Sequence, residues 1–370
     1  MEGTEGISLW KTSIITTQRE PPTLNDAAHI WNMISEYESL KPYNTFGVSA
    51  QARYFASFGS VEQLRELLAH PTVKQNQRLV LGGGSNMLFV RNFGGIVLKN
   101  ELKGIETVAE DEHHYYVKSS AGEVWHELVM HCIRSNYAGI ENLALIPGCV
   151  GASPMQNIGA YGVEIKDVFH ELEAMQIEDG SMRTFSLNEC NFGYRESIFK
   201  RGEKDRWVIT SVTFRLNKRA VLHTSYGAIE EELDSFHLDN ITIKDVARAV
   251  INIRSSKLPD PKKIGNAGSF FKNPVVPMSV YRSILEHHNN APSFPIDEDH
   301  VKVPAGWLIE RAGWKGKNLG NYGVHDKQAL VLVNYGGATG SQIYDLSTSI
   351  INDVKQKFGI ELEREVNIIQ

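Results

Sequence analysis

Apolar residues follow two different periods along this chain, and the change between them divides it. From Phe46 to about Leu216, short β-rich runs such as Arg78-Leu79-Val80-Leu81 and Gly95-Ile96-Val97-Leu98 alternate with short helical stretches such as residues 61–69, which predicts an α+β region. From about Asn240, Val246, Val250 and Ile253 recur at helical spacing until Pro259 and Pro261 stop the helix. A later stripe of Ile343, Leu346, Ile350, Val354 and Phe358 predicts a helix over residues 341–358, closed by Gly359. The last segment, 360–369, alternates at first, with Ile360, Leu362 and Val366 opposite Glu361, Glu363 and Glu365, and predicts a strand whose apolar face Arg364 interrupts. Residues 1–40 read as an extension, polar at first and then helical over about 24–37, with Ile30, Trp31 and Ile34 on one face. The expected plan is an α+β half followed by a smaller α/β half.

Composition narrows the function classes. The 370 residues are 42% hydrophobic and 22% charged, as expected of a globular protein with a large core. Lys+Arg number 38 against 44 Asp+Glu, so the broad basic face of a nucleic-acid binder is not expected and an anionic ligand must be met by a local cluster. Cys132, Cys149 and Cys190 are widely separated, which argues for buried thiols and against a disulfide framework or a metal site. No stretch approaches the roughly 18 apolar residues of a membrane span, and no basic start leads into an apolar core, so a cytoplasmic protein is the expectation.

Four segments carry candidate chemistry. Gly82, Gly83 and Gly84, followed by Ser85 and Asn86, come directly after a β-rich run; their amides could curl around a phosphate, or the loop could simply need positive φ. The spacing fits neither the Rossmann nor the Walker pattern. Residues 146–162 include Pro147, Gly148, Gly151, Ala152, Gln156, Asn157, Gly159, Ala160, Tyr161 and Gly162. Such a main chain suits a large planar ligand, or an irregular connection. In the third, Gly265 to Pro274, Ser269 stands between glycines and Phe270-Phe271; the aromatic pair could exclude water, and Lys272 and Asn273 could meet a polar or anionic substrate. Arg195, set among Tyr194, Phe192 and Phe199, could hold a carboxylate or make a surface ion pair.

These segments together resemble the FAD-dependent UDP-N-acetylenolpyruvoylglucosamine reductases, over a stretch from Lys41-Pro42-Tyr43-Asn44-Thr45-Phe46 to Glu365. The resemblance implies an FAD-binding fold similar to that of the vanillyl-alcohol-oxidase flavoproteins, over 41–240 in two subdomains. A smaller α/β substrate-binding domain over 241–370 would return its C-terminal strand to the active site. It places residues 82–86 at the FAD pyrophosphate and the 147–162 run along the flavin. Arg195, Ser269 and Glu365 fall on the family's catalytic arginine, serine proton donor and glutamate, although by residue type alone Ser269 suits a turn and Glu365 a solvated carboxylate. Tyr226, Lys257, Asn273 and Lys302 fall on its holders of the nucleotide diphosphate. NADPH and the UDP-sugar would share one cleft in a monomer, which explains why no second dinucleotide motif is visible. An oxidase of the same fold, or a colourless nucleotide-sugar sensor without catalysis, are the competing readings.

Overall fold

The computed structural model describes residues 33–370. Its first sheet has four strands in the order Ser35–Ser39, Gln51–Phe58, Phe93–Asn100, Arg78–Leu81. The first pair is antiparallel and the other two pairings are parallel. Two of the parallel members, Arg78–Leu81 and Phe93–Asn100, contain the apolar runs expected to be strands. Helix Val61–Ala69 lies between Gln51–Phe58 and Arg78–Leu81 in the chain, started by Ser60, whose Oγ accepts the Gln63 N–H at 3.1 Å. Leu64, Leu67 and Leu68 on its inner face are buried with Phe58, Ile96 and Leu98 of the sheet.

The helix expected over 24–37 is not formed where it can be seen. Its described end, from Met33, turns and enters the edge strand Ser35–Ser39, while the rest lies outside the described residues. Long-range pairing with Gln51–Phe58 supplies backbone partners there that a short amphipathic helix would have to supply locally.

A five-stranded antiparallel sheet follows, ordered Met182–Ser186, Phe169–Gln176, Trp207–Asn217, His114–Ser120, Ile105–Glu110. Helix Trp125–Arg134 and helix Ile243–Lys257 belong to the same core, the latter through Val246, Val250 and Ile253 as their spacing predicts. Thr242 caps that second helix in a reciprocal box with Asp245.

The C-terminal part contributes two three-stranded antiparallel sheets, built around Gly265–Ser269 and around Val275–Pro277. Helix Gly340–Phe358 buries the whole expected stripe from Ile343 to Phe358. Its core is continuous with that of the first sheet: Phe46, Leu81, Leu88 and Phe89 pack with Phe270, Ile343 and Val366. Beyond the helix, Ile360, Leu362 and Val366 are buried as the alternation requires, but the strand expected over 360–369 is confined to Asn367–Ile369, which pairs in parallel with Met87–Phe89. The residues before it make one isolated bridge, Phe271 to Arg364, because among the described residues no neighbouring strand runs alongside them. Arg364 fits among apolar neighbours because two hydroxyls of the helix satisfy it: Nε donates to Ser347 Oγ at 2.8 Å and Nη2 to Thr348 Oγ1 at 2.7 Å. The three cysteines are free and buried. Among the described residues no helix is long and apolar enough to cross a membrane.

Candidate active site

Between these parts lies a cleft of about 780 Å³, within the range of cofactor sites. Its wall begins with the glycine loop. Gly84 adopts φ +61°, and a Cβ there would collide with the Tyr43 carbonyl oxygen. A Cβ on Gly83 would stand 3.0 Å from Gly148 Cα, so the two glycine-rich segments meet backbone to backbone. Ser85 Oγ donates to the Pro147 carbonyl at 3.2 Å and joins them further. The second segment is made of short 3-10 turns, Val150–Ala152 and Pro154–Gln156. It presents Pro147, Gly151, Ala152, Gln156 and Gly159 to the cleft together with Gly82, Gly83, Gly84, Ser85 and Asn86.

Parallel pairing of Asn367–Ile369 with the strand that follows the glycine loop brings Glu365 beside Asn86. Asn86 Nδ2 donates to Gln156 Oε1 at 2.9 Å, and Gln156 Nε2 in turn approaches Glu365 Oε1 at 3.4 Å. Arg195 Nε stands 3.4 Å from the same oxygen, while Arg195 Nη2 donates to the Gly159 carbonyl at 2.6 Å. Arg195 itself has φ +56°, a left-handed conformation that a non-glycine residue adopts only when its surroundings hold it. Burial pushes the Glu365 carboxyl above the usual carboxylate range, against the opposing pull of Arg195, Lys200 and Lys272. Ser269 ends the strand Gly265–Ser269, is exposed, and lines the same cleft; its hydroxyl makes no hydrogen bond among the described residues.

Other expected contacts are placed differently. Asn157 is fully buried, and its amide donates to Glu164 Oε2 at 2.9 Å and to the Gly193 carbonyl at 3.1 Å, so its side chain braces the loop from behind. Gly148, Ala160, Tyr161 and Gly162 also do not line the cleft. Phe270 and Phe271 do not shield a ligand; both are buried in the core, since the strand turns them away from Ser269. Lys272 does not reach the cleft either, because its ammonium is held between Glu196 and Glu363.

The four residues expected to hold a diphosphate do not line the cleft. Asn273 Oδ1 accepts the Ala305 N–H at 2.9 Å, and Lys302 Nζ lies 4.5 Å from the centre of the Tyr194 ring, next to Arg195. Tyr226 is exposed and packs edge-on against Tyr161 at 5.5 Å. Lys257 is exposed at the end of helix Ile243–Lys257.

Arg254 and Lys200 are among the cleft cations that went unrecognised in the sequence. Arg254 lines the cleft one turn after Val250, with its Nε buried and without a partner. Burial draws its guanidinium below the usual arginine range, with Tyr161 opposing. An arginine on the apolar face of a helix was the available signal. Lys200, also lining the cleft, donates to the Arg195 carbonyl at 3.3 Å, and burial lowers its ammonium pKa. Nothing in the local pattern marks it.

Comparison with known proteins adds a decisive observation. Residues 52–186 match the FAD binding domain family, and residues 260–369 match the C-terminal domain of UDP-N-acetylenolpyruvoylglucosamine reductase. A UDP-N-acetylenolpyruvoylglucosamine reductase from Pseudomonas savastanoi pv. phaseolicola is 51% identical, covering 89% of this chain and 97% of its own length. The chain belongs to the UDP-N-acetylenolpyruvoylglucosamine reductases. The enzyme of that name from Flavobacterium johnsoniae is 50% identical over 90% of this chain and 98% of its own. The crystal structure of the reductase from Thermus caldophilus shares the fold, with a TM-score of 0.63 and 22% identity, covering 91% of this chain and 98% of that one.

Like the rest of this reductase family the protein is an FAD-dependent oxidoreductase, α+β in class. Its cleft fits the cofactor. The two glycine-rich segments that wall it abut backbone to backbone, with no room for side chains at that seam, and the orphaned Arg254 Nε is a buried cationic donor with no acceptor among the described residues.

Proposed function

We propose that this reductase converts UDP-N-acetylglucosamine enolpyruvate to UDP-N-acetylmuramate, a peptidoglycan precursor, with NADPH as reductant, both ligands using one cleft in turn. The observation that carries the reading is the meeting of Arg195, Glu365 and Ser269 along one cleft, from three separate segments. When bound, the flavin supplies the hydride chemistry. The protein's own groups supply charge and a proton. Reduction at the terminal alkene carbon moves negative charge onto the attached carboxylate, and the guanidinium of Arg195, fixed by Gly159 and beside Glu365, meets that charge. Ser269, with its hydroxyl uncommitted, gives a proton to the adjacent carbon.

Gly82, Gly83, Gly84, Ser85 and Asn86 would hold the pyrophosphate of FAD, with Gln156 and the small residues of the second segment along the ring. Tyr226, Lys257, Asn273 and Lys302 would hold the substrate diphosphate, the exposed Lys257 and the half-buried Lys302 acting as point charges. The exposed loop carrying Tyr226 would close over substrate; protease cleavage at equal rates with and without substrate would refute that closure.

The test is spectroscopic. The purified protein should be yellow, bleach with NADPH under anaerobic conditions, and recover its colour on addition of the enolpyruvyl sugar. Rapid recovery with oxygen and none with that sugar would instead favour an oxidase, and a colourless preparation a sensor.

A further inference from the structure

Ser269, Glu365 and Arg195 arrive at the cleft on separate segments, and the ties between those segments differ in kind. Backbone hydrogen bonds join the first two: Glu365 N donates to Phe270 O at 2.8 Å, and Lys272 N donates to Glu363 O at 2.9 Å. Arg195 instead occupies the tip of a tight hairpin that Gly193 and Glu196 close by exchanging backbone hydrogen bonds at 3.0 and 3.2 Å. Its positive φ means that this tip must be held from outside.

The holding group is the ammonium of Lys272. Its Nζ lies 2.9 Å from Glu196 Oε1 and 2.6 Å from Glu363 Oε1, and its side chain is only 10% exposed. Glu196 directly follows Arg195, and Glu363 lies two residues before Glu365. One cation therefore spans the hairpin and the C-terminal segment, and it does not line the cleft. An exposed pair of this kind contributes little, but a mostly buried ammonium between two carboxylates fixes geometry: Glu196 already meets Arg201 Nε at 3.1 Å through its other oxygen, and removing Lys272 leaves that surface pair, which does not reach the C-terminal segment, to hold it.

The geometry points to Lys272 as a positioning residue that locks the Arg195 hairpin to the C-terminal segment bearing Glu365, keeping guanidinium and carboxylate together for the substrate half of the reaction. This rests on the reading given under Proposed function. Lys200 adds a second tether through the Arg195 carbonyl.

The experiment compares Lys272→Met, Lys272→Arg and Glu196→Gln as flavin-loaded enzymes, recording flavin content, the rate of reduction by NADPH and the rate of reoxidation by the enolpyruvyl UDP-sugar. Misplacement of about 1 Å can cost roughly a hundredfold, so Lys272→Met and Glu196→Gln should slow reoxidation by about 10- to 100-fold while reduction stays within about twofold. Lys272→Arg, which keeps the charge, should recover most of the loss. Reoxidation at the wild-type rate in both Lys272→Met and Glu196→Gln, or equal losses in both half-reactions accompanied by loss of flavin, would overturn the assignment alone. A wild-type flavin that this sugar does not reoxidise would overturn the functional reading and the assignment with it.

Discussion

Arg195 Nε lies 3.4 Å from Glu365 Oε1, although one residue sits on a hairpin after the five-stranded sheet's second strand pair and the other five residues from the C-terminus. The contact depends on the parallel pairing of Asn367–Ile369 with Met87–Phe89, which carries the end of the chain to the glycine loop. The Arg195–Glu365 contact thus depends on a long-range strand pairing, and the proposed roles of the residues around it can be separated by mutation.

Ser269→Ala should leave reduction of the flavin by NADPH within about twofold and slow reoxidation by the enolpyruvyl sugar by about 10²- to 10⁴-fold, the usual contribution of a positioned acid. Stopped-flow absorbance resolves the two phases. Equal losses in both would remove the serine from proton transfer.

Glu365→Gln should change the pH dependence of stability. Burial raises the carboxyl's folded-state pKa above its unfolded value, so the folded state binds that proton more tightly. Stability from this group is fully present below the unfolded pKa and is lost as pH rises through the folded pKa. The glutamine variant lacks that loss, so its thermal midpoint relative to wild type should rise from pH 4 to pH 8. A constant difference across that range would contradict the assignment of cause.

Gly84→Ala should both destabilise the protein and empty it of flavin. Its φ of +61° disfavours any side chain, and the added methyl would press into the Tyr43 carbonyl. A cost of at least about 2 kcal/mol follows from strain and displacement together, which calorimetry would register as a clear drop in thermal midpoint. A yellow, fully stable variant would show that the loop does not depend on this approach.

Arg254→Met removes the buried donor that has no partner within the protein. If a ligand acceptor meets it, a charged hydrogen bond of about 1.5–3 kcal/mol is lost, and FAD affinity should fall by roughly 10- to 100-fold. Titration of flavin-free protein by fluorescence quenching measures it. Undiminished affinity would leave Arg254 without a role in cofactor binding.

The regular elements were legible because their signals are local. A stripe from Ile343 to Phe358 can bury itself only as a helix, and Val80 and Val97 belong to short apolar runs that suit strands buried by parallel pairing. The helix expected up to Tyr37 failed for the complementary reason: its described end met a strand partner that no local period reveals. Within the candidate site the glycines were legible too, since a backbone that must approach another backbone tolerates no side chain.

The direction of polar side chains was not legible in this way. Asn157 and Gln156 are adjacent amides in one loop, yet the first is buried against Glu164 and the second reaches Glu365. Lys272 looked free to meet an anion and is instead enclosed by two carboxylates, while Glu365, on a face with two exposed glutamates, is turned into the cleft. By itself the sequence determined which segments would be helix, strand or glycine loop, because φ, ψ and burial period depend on near neighbours. Which charges meet was decided only when the C-terminal strand paired with the strand after the glycine loop, because electrostatic partners and desolvation depend on residues far apart in the chain.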